Sequence, residues 1–189
     1  MEYTIIRSPF SFRFREMTKS ELKSYFEWFM EMIPERIKIL EKAVCDSSKY
    51  SSWRADYSPD SLKILGEWFV EQVDTRTRTS EELNALKSNL SFPMDVNNKE
   101  LTNKTFSLAM DIGMYFSQVV LTNLPGTKWN QILKNVREAD YGQPVITGFG
   151  VMSLNPVRLL VTLAYGIADK RQDGRRLQDL YNTWEKLSK

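Results

Sequence analysis

The chain has no histidine among its 189 residues. That removes Ser-His-Asp and Cys-His nucleophiles, His-ligated metals, and the one side chain whose ordinary pKa lies near neutrality. Acid–base chemistry can run on Asp, Glu, Lys or Tyr, but it recruits His most often. The sequence therefore leans away from catalysis and offers no catalytic residue, no cofactor site and no metal-ligand cluster. Cysteine is nearly missing too. Cys45 stands alone, which excludes an internal disulfide and a Cys-based zinc site, fits a reducing compartment, and carries no flanking base that would activate it.

Long apolar runs are also lacking. "LLVTLAYGIA" is too short to cross a bilayer, and "SLAMDIGMYFSQVVL" is broken by Asp111. The opening "MEYTIIRSPF" has an acid at position 2 and no apolar core of signal-peptide type. The expectation is a cytoplasmic protein without a membrane role. Basic excess is small: 26 Lys+Arg against 24 Asp+Glu leaves +2, too little for the basic face of a nucleic-acid binder. The glycines of "DYGQPVITGFGVMSLNP" (140–156) match no phosphate loop. No Gly-Lys-Ser/Thr follows them, and no third glycine completes G-x-G-x-x-G. Turns and close backbone approaches explain them better.

What is present is core. The 42% hydrophobic and 12% aromatic content, with five Trp, predicts one folded domain over residues 1–189. Its class is mainly α with a minor β part: six or seven helices around a buried central helix, and a small hairpin or sheet near 127–148. Phe10, Phe12 and Phe14 alternate with polar residues, which predicts a short strand or an extended arm over 3–14. Thr18 and Glu21 form a capping box before an apolar stripe from Leu22 to Ile33. Pro34 breaks that helix or begins another. Ser58-Pro59-Asp60 opens a helix with Leu62, Leu65, Phe69 and Val73 inward, and Tyr50, Trp53 and Tyr57 pin the loop before it. A short helix is expected from Glu81 to Leu90 and a loop over 91–100. Asn155 caps a helix beginning at Pro156, and a last helix follows Asp173-Gly174.

The central helix, 102–123, is apolar on nearly all sides, so it belongs inside the body. A carboxylate there is costly unless something donates hydrogen bonds to it. Asp111 therefore needs donors, and the Trp129 indole, the Gln143 amide or a turn amide could supply them. Removing it should cost roughly 1–3 kcal/mol. Gly113, two residues on, lets a neighbouring element approach closely.

The order "SLAMDIGMYF", Trp129, "YGQPVITGFG", "NPVRLLVTLAYG" over roughly residues 105–168 resembles a group of small bacterial helical proteins of immunity-protein type. The resemblance implies a protein that neutralises a sister toxin by binding it. Its motif positions here are Asp111, Gly113, Tyr115, Trp129, Gln143, Pro144 and Asn155, read as a polar cluster that locks the fold. Interface residues do not carry over.

Charge distribution suggests where a partner protein would dock. Residues 51–100 carry six basic and nine acidic side chains, whereas 151–189 carry seven basic and four acidic. Glu27, Glu31 and Glu35 recur every four residues on one helix, and Arg175 and Arg176 adjoin Lys170 and Arg171. Glu27, Glu31, Arg175 and Arg176 are the candidate binding surface. The alternatives are a regulatory or scaffold module on the same surfaces, or a histidine-free enzyme using Asp111 and Tyr115. A cleft exposing Asp111 favours the enzyme; a buried, fully bonded Asp111 favours the binders.

Overall fold

A computed structural model describes residues 3–88 and 96–189. Among them the chain is mainly helical with a small β component. Helix α1 spans Lys19–Cys45, α2 Ser61–Gln72, α3 Ser80–Ser88, α4 Asn103–Asn123, α5 Pro156–Ala168 and α6 Arg175–Leu187. Strands β1 (Thr75–Thr77) and β2 (Lys99–Leu101) pair antiparallel. Strands β3 (Lys128–Gln131), β4 (Pro144–Phe149) and β5 (Met152–Leu154) form a second antiparallel sheet with β4 in the middle.

Helix α4 is the axis. Its cap is Thr102, whose hydroxyl accepts from the Thr105 amide, and its middle, from Ser107 to Ser117, is buried without interruption. No single face of it meets water there, because α1 and α5 pack on it and β4 delivers Ile146 to the same core. The pairing of α4 with α5 depends on Gly113. A Cβ there would lie 3.0 Å from the Pro156 carbonyl oxygen, tighter than ordinary contact. The α2–α6 crossing is tighter still: a Cβ on Gly66 would lie 2.0 Å from the carbonyl oxygen of Gly174.

Helix α1 continues unbroken through Pro34, where the sequence predicts a break or the start of another helix. Pro34 sits on the exposed side, while Phe29, Ile33, Ile37 and Leu40 before and after it are buried along one stripe. Packing of that stripe outweighs the single backbone bond that proline forfeits. The capping box of Thr18 and Glu21 forms as expected. Residues 3–17 hold no strand; they are an extended arm with turns, and Phe10 and Phe14 lean on Tyr25.

At α2 the regular helix starts at Ser61, but the Ser58 hydroxyl still accepts the Ser61 amide at 3.2 Å and caps the preceding tight turn. Tyr50 and Trp53 are buried as expected of pins, whereas Tyr57 is half exposed. The expected helix end at Leu90 and the loop at 91–95 lie outside the described residues. The loop reading fails at Lys99 and Glu100, which pair with β1.

Candidate functional site

The residues that the sequence groups into one polar cluster fall into three separate knots. The first is built on Asp111, which has no exposed surface. The position follows from α4 being enclosed on all sides. Arg36 of α1, 2% exposed, reaches it with two parallel bonds: Nε to Oδ1 at 2.8 Å and Nη2 to Oδ2 at 2.7 Å. This fork-to-fork geometry is the strongest way a guanidinium meets a carboxylate. The Tyr3 hydroxyl donates to Oδ2 and accepts from Arg36 Nη2 at 2.8 Å. Arg36 Nη2 also reaches the Thr4 carbonyl at 2.9 Å, and the Ser107 hydroxyl accepts the Ile6 amide at 2.8 Å. The arm is thus stitched to α1 and α4 by the same charges it seals from water.

Burial pushes the Asp111 carboxyl above its ordinary value, against the pull of Arg36 and Tyr3. Desolvation works against the Arg36 charge, yet the bonds to Asp111 hold it above its usual value. Desolvation, with the neighbouring Asp111 charge, likewise drives the Tyr3 phenol upward. Arg36 and Asp111 are shut off from solvent, whereas Tyr3 is partly exposed and borders a pocket with Ile5, Trp68 and Lys104.

Neither expected donor reaches Asp111. Trp129 lies on β3 opposite Ile146, its ring edge-on to Phe29 at 5.8 Å. Its role is aromatic packing. The Gln143 amide donates to the Ala139 carbonyl at 3.2 Å. Pro144 starts β4 opposite Gln131.

The second knot belongs to Tyr115. Its hydroxyl shares a hydrogen bond with Ser61 Oγ at 2.7 Å and accepts the Tyr57 amide at 3.1 Å. That amide comes from a residue with φ 60, a left-handed turn that non-glycine residues adopt rarely. Burial raises the Tyr115 phenol to about 12. Although Asp111 and Tyr115 are four residues apart on α4, they bond to different elements.

Asn155 makes the third knot. Its Oδ1 caps α5 by accepting the Arg158 amide at 2.9 Å, and its Nδ2 donates to Asp140 and to Gln143, each at 2.8 Å. Arg158 closes the ring on Asp140 at 3.1 Å. The loop that begins at Asp140 is therefore anchored to the start of α5, and the glycines inside it serve geometry. Gly142, at φ 74, passes so close to Leu22 that a Cβ would meet its methyl at 2.5 Å.

Arg36, Tyr3, Ser107, Ser61 and Asp140 escape a reading of the sequence. A signal existed for Arg36. It falls in step with Phe29, Ile33, Leu40 and Val44, a charged residue on an apolar stripe, just as Asp111 is on α4.

The surface candidates stand apart from the knots. Glu27, Glu31 and Glu35 line the exposed side of α1, with Lys23 4.0 Å from Glu27. Arg175 is engaged by Asp173 at 2.9 Å. Arg176, with Arg171, borders a groove of about 330 Å³ between α5 and α6, whose apolar side is Leu159, Leu163 and Leu180. Among the described residues no cluster of carboxylates and cysteine is arranged to hold a metal ion, and no helix is long and apolar enough to cross a membrane. No protein-family model matches this chain, and comparison with curated proteins and with solved structures finds no similar one.

Proposed function

We propose that this chain is a protein-binding module, and that it acts as an immunity protein that neutralises a partner toxin by occluding it. One observation carries the choice of binding over catalysis: Asp111, the best acid–base candidate in the sequence, is wholly buried and saturated by Arg36 and Tyr3. Tyr115 is likewise buried and bonded. What meets solvent is charge on rigid helices, the acidic row of α1 and the basic, apolar-floored groove of α5 and α6. Such surfaces steer and orient a complementary partner.

The test is co-expression and pull-down with the product of the neighbouring gene, followed by binding at two salt concentrations. Charge reversal at Glu27 and Glu31, or at Arg175 and Arg176, should weaken one specific complex while melting temperature holds. Failure to capture a partner, together with turnover of a small molecule that is lost in Asp111→Asn, would replace the binding reading with the enzyme.

A further inference from the structure

Tyr25 of α1 is 3% exposed, yet its hydroxyl has no hydrogen-bond partner among the described residues. Buried tyrosines normally satisfy that group. Phe10, Phe14, Trp28 and Phe29 box the ring. Among the described residues no side-chain nitrogen or oxygen sealed from water lacks a partner, so the Tyr25 hydroxyl keeps some access to water. The space Tyr25 borders is a cavity of about 190 Å³ beneath the aromatic arm, with Phe12 and Phe14 on one side and Phe106, Met110 and Val161 on another. A closed apolar cavity of roughly 150 Å³ is large enough to take up benzene; this one is of similar size but open at its polar edge.

The polar edge of this cavity is selective. Gln143, Asn155 and Arg158 border it, and among the described residues Arg158 is the only charged side chain that does. The amide oxygens of Gln143 and Asn155 are already occupied as acceptors, by Asn155 Nδ2 and the Arg158 amide. Arg158 spends one guanidinium nitrogen on Asp140 and keeps half its side chain exposed. The donors left at this edge are the Tyr25 hydroxyl, the second amide hydrogen of Gln143 and the Arg158 guanidinium. Burial raises the Tyr25 phenol, so it stays protonated and donates.

We propose that this cavity binds a small monocarboxylate bearing one ring or a short alkyl chain, with the apolar part under Phe12 and the carboxylate taking hydrogen bonds from Tyr25 and Arg158. The site is independent of the protein-binding surfaces proposed above. Ligand binding would place a small-molecule input beside the arm that seals the Arg36–Asp111 pair.

Benzoate is the probe and toluene its uncharged control, each titrated into the intact protein and followed by calorimetry and by shifts of methyl resonances. Benzoate should bind saturably. Tyr25→Phe and Arg158→Gln should each weaken it about fivefold, the worth of one hydrogen bond, and leave toluene within about twofold. Val161→Phe should fill the space and abolish both. Tyr25→Phe keeps the ring and removes only an oxygen, and melting curves check that both variants stay folded. Absence of saturable benzoate binding overturns the proposal, as does equal affinity in Tyr25→Phe. If benzoate fails while Val161→Phe disrupts capture of a protein partner, the cavity receives a partner's side chain instead, and the ligand assignment is wrong.

Discussion

Two groups of arginines and carboxylates sit at opposite extremes of this molecule. Arg36 and Asp111 are 2% and 0% exposed and share two bonds in a space closed by Tyr3. Arg76, Glu82, Glu100 and Arg78 join the β1–β2 ribbon to the start of α3 at the surface, with Arg76 and Glu82 43% and 40% exposed. The surface group has more ion pairs, three against one, and Arg76 meets Glu82 at 2.7 Å, as Arg36 meets Asp111. Distance does not rank them. Water does, because an exposed pair is screened and can re-form its bonds with solvent, whereas a buried charge deprived of its partner has nothing.

The sharpest way to break the comparison is to remove one buried partner. Asp111→Ala or Arg36→Leu should each cost about 3–5 kcal/mol in chemical denaturation, above the range suggested by a lone hydrogen-bonded carboxylate, because a stranded charge remains. The double change Arg36→Met with Asp111→Leu should recover most of the loss. If the double variant is as unstable as either single one, charge stranding is not the cause. Steric closeness comes next. Gly66→Ala drives a methyl into the Gly174 carbonyl and should cost roughly 1–3 kcal/mol, and Gly113→Ala less, since its nearest atom is a full ångström further away. Equal losses would mean that the two helix crossings yield alike.

A smaller effect is expected at the third knot. Asn155→Ala should cost on the order of 1 kcal/mol through the lost cap, and Pro156→Ala should cost little; a reversed order would mean α5 is not set by Asn155. Last comes the exposed group. Arg76→Ala should leave the global melting temperature unchanged and quicken amide exchange only in β1, β2 and α3. The Glu82 carboxyl is held down at about 2 by Arg76 and by the Thr79 amide. A depressed carboxylate contributes stability above its unfolded value, near 4.5, and loses it as pH falls toward 2. Acidification through that window should open the start of α3 while α4 amides stay protected. Simultaneous loss of both would deny that the surface group acts locally.

What the sequence disclosed and what it withheld divide by distance along the chain. The Thr18 box, the Asn155 cap and the all-round apolar α4 are local patterns, and each formed where the pattern placed it. Asp111 was conspicuous for the same reason. Its partner was not, because Arg36 lies 75 residues earlier and the nearer candidates, Trp129 and Gln143, have other employment. Pro34 misled because local propensity was weighed without the packing on either side of it. The three-residue strands β1, β2 and β5 are too short to show a period-two alternation, so only their pairing reveals them.

The closure of the Arg36–Asp111 pair also bears on the order of events as the chain leaves the ribosome. Helix α1 is complete in sequence by residue 45, but the charge on its apolar stripe has no buried partner until residue 111 has been made. Tyr3, which seals the pair, must wait for a contact 108 residues away. A segment ending before α4 therefore holds an apolar helix face interrupted by an unneutralised guanidinium, and its early docking is discouraged. Long loops must close before these contacts reward the chain, which slows folding. Until α4 has been made, the contact that closes over Arg36 does not exist, so the N-terminal half lacks the partner that its buried charge requires.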